Sequence, residues 1–138
     1  MHKASENYKA VALIPAVTAT TTTTGTGVDI STYGDDALFI LSVGTVSGTS
    51  PTLDVTIQSS STSGGTYTTE VTFGQVTAST KFACGGLNCE GNNSGGLARK
   101  FIRAVGTIAG TTPSFAFSVT MLIRATLGSS TLNSVTPA

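Results

Sequence analysis

Few residues in this chain can ligate, attack or move a proton. His2 is the sole histidine, and Cys84 and Cys89 are the only cysteines. The two thiols enclose Gly85-Gly86-Leu87-Asn88. A metal needs further ligands, about four for structural zinc, and a terminal histidine does not complete the set. A disulfide across this short loop is sterically possible. Two free thiols in a reducing cytosol are the expected state. A Ser, Thr or Cys nucleophile needs a nearby base, and His2 is poorly placed to be one. Asp35 and Asp36 could serve acid/base work or hold Ca²⁺. Adjacent side chains on extended backbone diverge, so a solvated turn is expected there instead. Gly91 to Gly96 has the glycine spacing of a phosphate loop, but Leu97 stands where that loop requires Lys. Asn92-Asn93-Ser94 matches a glycosylation acceptor, which matters only in a secreted eukaryotic protein. No catalytic, cofactor-binding or metal residue is assigned, and no enzyme is expected.

Arg99, Lys100 and Arg103 form the one basic cluster. Arg99 and Arg103 share a strand face with Phe101. They are either solvated at a strand edge or contacts for an acidic protein partner. Seven basic residues balance seven acidic ones, so the formal net charge is zero. That excludes a general nucleic-acid binder, which carries a strongly basic face. Charged residues make up 10% of the chain, against about 25% in ordinary domains. The 39% hydrophobic content argues against disorder. No apolar run reaches the roughly 18 residues of a membrane-crossing helix. The run from Ala10 to Val17 is too short, and Pro15 interrupts it. With Glu6 in its flank it reads as a first strand or a docking arm, not a signal peptide.

The elements must be strands. The 138 residues suit one domain, and 26 Thr, 16 Ser and 16 Gly leave little material for a long helix. The Thr run from Thr18 to Thr26 reads as extended chain ended by Gly25 and Gly27. Asp29 to Asp36 reads as an irregular loop. Ala37 to Val46 is a nearly continuous apolar run and predicts a strand buried on both faces. Leu53, Val55 and Ile57 alternate with polar residues, as do Tyr67, Thr69, Val71 and Phe73. Lys81 to Ala83 predicts a short strand, and Cys84 to Gly96 a surface loop. Arg99 to Ile108 and Phe115 to Ile123 predict two more strands. The aromatic residues fall mostly at strand positions and read as core. No Trp offers a sugar-stacking platform.

One segment occurs twice. Val43 to Ile57 aligns with Val105 to Val119 at a constant offset of 62, with six identities in 15 positions. Leu53, Val55 and Ile57 fall on Phe115, Phe117 and Val119, and upstream Phe39 falls on Phe101. Each copy carries a Gly-Thr-Ser/Thr-Pro turn, so each reads as a hairpin. Two copies suit an all-β fold: a two-sheet antiparallel β-sandwich, jelly-roll or doubled Greek key.

A family resemblance rests on five segments. They are Gly25 to Ile30, Ala37 to Gly44, the turn Val46 to Val55, Lys100 to Val105, and Gly110 to Phe115. In order, these resemble the head decoration, or cement, proteins of tailed bacteriophages, auxiliary capsid proteins encoded among the head genes. The likeness spans roughly residues 18 to 125. It implies a β-sandwich that binds the outer capsid shell as an oligomer and has no catalytic residues. The Cys84 to Gly96 loop and the longer N-terminal segment depart from the usual pattern.

The expected organisation is an N-terminal arm over residues 1–17, a sandwich over 18–127 and a C-terminal tail over 128–138. The expected function is capsid decoration. The alternatives are a neck, tail or fibre-base part, or a carbohydrate-binding jelly roll. The expected partners are a major capsid protein and further copies of the chain, a trimer before a dimer, with no nucleic acid, membrane or cofactor. The protein is expected on the virion exterior after synthesis in the bacterial cytoplasm. Candidate contact residues are Lys3, Glu6, Tyr8, Lys9, Leu13, Ile14, Arg99 and Arg103. The arm residues are chosen because an apolar arm left bare would aggregate.

Overall fold

Two long strands carry this structure. β4 runs Tyr33–Ser60 and β7 runs Phe101–Ala125. They pair antiparallel along their whole length, from Tyr33 opposite Ala125 to Ser60 opposite Phe101. The fold comes from a computed structural model that describes residues 8–30, 33–88 and 101–125, with side chains for 8–30, 37–79 and 101–123. Five shorter strands complete the sheet: β1 (Tyr8–Ala19), β2 (Thr23–Thr24), β3 (Val28–Asp29), β5 (Thr68–Thr72) and β6 (Thr80–Asn88). No helix occurs among the described residues.

The repeated segment is therefore not a hairpin repeated twice. At Gly48–Pro51 and Gly110–Pro113 the chain bends without reversing. The left-handed residues alternate with extended ones: Gly48 has φ 112° and Ser50 φ 49°, Gly110 φ 122° and Thr112 φ 46°. A two-residue type I′ reversal needs positive φ at two adjacent residues. Here each copy stays one strand and pairs with the other copy. Val46 faces Phe115, Thr49 faces Thr111, and Leu53 faces Ile108. Glycine is needed at the bends because the two corners touch. A Cβ on Gly48 would lie 2.7 Å from the Thr112 carbonyl oxygen, and one on Gly110 would lie 2.8 Å from that of Ser50.

The corners divide the sheet into two halves. In the first, β1 flanks the C-terminal part of β7, and β6 flanks the N-terminal part of β4. In the second, β2 and β3 flank the N-terminal part of β7, and β5 flanks the C-terminal part of β4. All pairings are antiparallel and belong to one seven-stranded sheet. It curls so that both inner faces meet in one core, which includes Phe39, Leu41, Leu53, Ile57, Ile102, Phe115, Val119 and Met121. Phe117 closes the core across the bend. A Cβ on Gly106 would lie 2.9 Å from the end of its ring and 3.3 Å from Leu53. Leu53, Val55 and Ile57, with Phe115, Phe117 and Val119, are all buried, as their alternation predicts.

Other expectations change. Residues 8–17 are not an arm in this structure: they begin β1, and Leu13 and Ile14 are buried. Pairing with β7 bonds one side of the β1 backbone and carries Leu13 and Ile14 into the core, while Ala10, Ala12 and Val17 stay exposed. Ala37 to Val46 is not buried on both faces, since Leu38 is 41% exposed. Cys84 to Asn88 belongs to β6, so the glycine-rich segment enters as strand. Asp29 closes β3, and Tyr33 opens β4. Phe39 and Phe101, 62 apart, do not share a role. Phe39 is in the core, whereas Phe101 is half-buried beside the inward Ile102. One register shift in β4, between Val43 and Val46, causes this. Residues 1–7, Cys89 to Lys100 and the 128–138 tail lie outside the described residues.

Candidate contact surface

The side chains picked out by the sequence are dispersed. Tyr8 and Lys9 are exposed at the start of β1, opposite Arg124 and Ile123 of β7. Leu13 and Ile14, at 2% exposure each, face the core and are not offered to a partner. Lys3, Glu6 and Arg99 lie outside the described residues. Arg103 is on the outer face of the second half-sheet, opposite Gln58. Its Nε donates a hydrogen bond of 2.9 Å to Gln58 Oε1. Its guanidinium carbon lies 3.9 Å from the centre of the Tyr67 ring, close enough for cation–π attraction. The Tyr67 hydroxyl donates to the Ser63 carbonyl at 3.0 Å. Arg103 is thus held inside the chain and fastens the β4–β5 connection to β7.

The two outer faces differ sharply. The second half-sheet turns polar groups outward. Besides Arg103 and Gln58, Gln75 Nε2 donates to both Asp54 carboxylate oxygens, at 3.2 and 3.0 Å. Nearby, at the β4–β5 pairing, Ser59 Oγ donates to Glu70 Oε1 at 2.6 Å. The first half-sheet turns apolar groups outward. Leu38 lies opposite Leu122, which lies opposite Ala10. One row along, Ile40 lies opposite Thr120, and Thr120 opposite Ala12. Leu38, Ala10 and Ala12 are exposed, while Ile40 and Leu122 are half-buried. Toward the bend this face becomes a shallow depression of about 370 Å³ with small residues along it, among them Ala16, Ser42, Gly44, Ala116 and Ser118. Val17, 38% exposed, lies at its rim.

This surface is wide, shallow and without ionised groups among the side chains just named. Such a shape favours burial of flat apolar area against another macromolecule over enclosure of a small molecule. The sequence reading missed it because a continuous apolar run was assigned to the interior. The signal available was parity. Phe39, Leu41 and Val43 share one face, so Leu38 and Ile40 must share the other. Comparison with protein-family models and with curated proteins gave no match.

Proposed function

We propose that this protein is a virion structural protein that binds the outer capsid shell of a tailed bacteriophage as an oligomer and stabilises it. In this reading the curled sheet works as a two-layer β-sandwich, with the two half-sheets as its layers. The observation that carries the reading is the apolar outer face around Leu38, Leu122 and Ile40. It is a wide, shallow surface without ionised groups among the side chains named for it above, suited to lie against a protein shell. The likeness of the Gly-Thr-Ser/Thr-Pro segments to decoration proteins supplies the identity of that shell, the major capsid protein, and so a place on the virion exterior.

The test is binding to capsids that lack this protein, followed by co-sedimentation and by heating the loaded shells. Saturable binding and a raised shell disruption temperature are expected. Leu38→Lys should weaken binding at least tenfold, because burying that charge without a partner is costly. It should leave the β spectrum unchanged. Full binding by Leu38→Lys would remove this face as the contact. Failure of the wild-type protein to bind any shell would end the decoration reading.

A further inference from the structure

The molecule is built from two copies of one three-part unit, and the copies are interlocked. Ile57 of β4 lies opposite Val71 on one side and Ala104 on the other. Val119 of β7 lies opposite Ile14 on one side and Leu41 on the other. The matching positions are 62, 57 and 63 residues apart. The same three offsets return elsewhere: Ser59 and Met121 are 62 apart, Val28 and Gly85 are 57 apart, and Phe39 and Ile102 are 63 apart. So β1 corresponds to β5, β2 with β3 to β6, and β4 to β7. The pair Thr49–Thr111 corresponds to itself and marks the pseudo-twofold axis.

Every ladder among the described strands crosses between the copies. β1, β2 and β3 pair with β7, β5 and β6 pair with β4, and β4 pairs with β7. The lone bridge Leu53–Val76 crosses as well. Two backbone bonds beside the ladders do the same, Gly25 N to the Ala104 carbonyl and Phe73 N to that of Val55. Among the described residues, the first half, through Ser60, pairs no strand with itself, and neither does the second half, from Thr68 onward. A single connection joins them, Ser61 to Tyr67, with Ser61 to Thr66 exposed. Its hydrogen bonds are local: Thr62 N to Ser60 Oγ, Gly65 N to the Thr62 carbonyl, and the Tyr67 hydroxyl to the Ser63 carbonyl. Beyond them, the Tyr67 ring at its end lies against Arg103 of β7 and near Gly27.

We infer that the halves are exchangeable and that the partner this fold can accept is a second copy of the same chain. The first half of one molecule can take its β5–β7 from another, and the reverse, closing a dimer in which every ladder survives. Only residues 61–67 change conformation. In the monomer that short connection holds the second half at an effective concentration near the millimolar range, which favours self-closure in dilute solution. A connection too short to turn back removes the advantage, the usual route to exchange between identical elements.

Deleting residues 61–67 tests this. Ser59 and Thr68 are partners across the β4–β5 ladder, so Ser60 alone would have to make the reversal. The expected product has twice the chain mass by light scattering and an unchanged β spectrum. Restoring seven Gly/Ser residues should return the monomer. A monomer with the native spectrum would overturn the inference, and so would a deletion chain that stays unfolded or aggregates at every concentration. A second experiment cuts the folded full-length chain at a protease site inserted after Gly64. The two pieces should remain one particle, part only in denaturant, and recombine when refolded together. Two pieces that separate and stay folded would show self-contained halves and overturn the inference.

Discussion

Thr112 holds φ 46°, a left-handed conformation in which a β-branched residue is a clear outlier. The strain is of order 1–2 kcal/mol. Its hydroxyl donates to the Thr111 carbonyl at 2.8 Å at an exposed site, where water can replace the bond. Asn tolerates the left-handed region without the entropy cost of Gly. Thr112→Asn should therefore raise the unfolding free energy by about 0.5–1 kcal/mol, read from urea midpoints at constant slope. Gly110→Ala should lower it by about 1–3 kcal/mol, because the new Cβ meets Ser50 and Pro51 backbone atoms at a positive φ. Across the bend, Phe117 is 3% exposed and packs over Gly106. Phe117→Ala should cost about 3–5 kcal/mol. Its half-buried neighbour Ser118, on the outer face, should cost less than about 0.5 kcal/mol as Ala. Equal losses would contradict the face assignment. These positions were partly legible in the sequence. Gly-Thr-Ser/Thr-Pro announces unusual φ, and alternation puts Phe117 inward. What the motif does not encode is whether the chain reverses. That depends on which strand lies alongside, and here it is the distant copy.

At the scale of elements, β1 shows most clearly how a non-local partner decides local structure. Its residues are apolar enough to be an arm or a strand. Pro15 argues against a central strand, and β1 is an edge strand, where proline is tolerated. Register shifts fall between Ala12 and Ile14, just before Pro15, and between Ile14 and Val17, across it. They let consecutive residues, Leu13 and Ile14, both reach the core, which strict alternation forbids. No reading of period two predicts that pair. Leu13→Ala and Ile14→Ala should each cost about 2–5 kcal/mol. Tyr8→Ala, at 41% exposure, should stay within about 0.5 kcal/mol. Deleting residues 1–17 removes most of β1 and bares the core flank of β7. The expected result is loss of a cooperative thermal transition, measured by calorimetry. A truncated chain that melts cooperatively near the wild-type temperature would mean that β1 is dispensable to the core after all.

The whole molecule pairs two equivalent halves and then makes their outer faces unlike. The sequence shows the duplication only where β4 and β7 bend against each other. At the offset of 57 between the shorter strands, residues 14–30 and 71–87 share just Thr20 with Thr77 and Thr23 with Thr80. A flanking strand needs only inward apolar side chains, so many sequences meet the demand. The divergence of the outer faces is the more informative outcome. By sheet position Ile40 corresponds to Arg103, Thr120 to Gln58, and Ala116 to Asp54. One face became apolar while its counterpart holds hydrogen-bonded polar groups. If the apolar face is the one that meets a capsid, the contact follows burial and not charge. The chain also carries no net charge to steer it. Its affinity for empty shells should then change less than about threefold between 0.05 and 0.5 M salt, since screening acts on exposed charge pairs. The heat-capacity change on binding should be clearly negative, the mark of buried apolar area. Titration calorimetry at several temperatures and salt concentrations reads both quantities. Affinity that falls steeply with salt, with a heat-capacity change near zero, would move the contact to the basic cluster at Arg99 and Arg103. In that event Arg103→Gln, not Leu38→Lys, would be the variant that releases the shell.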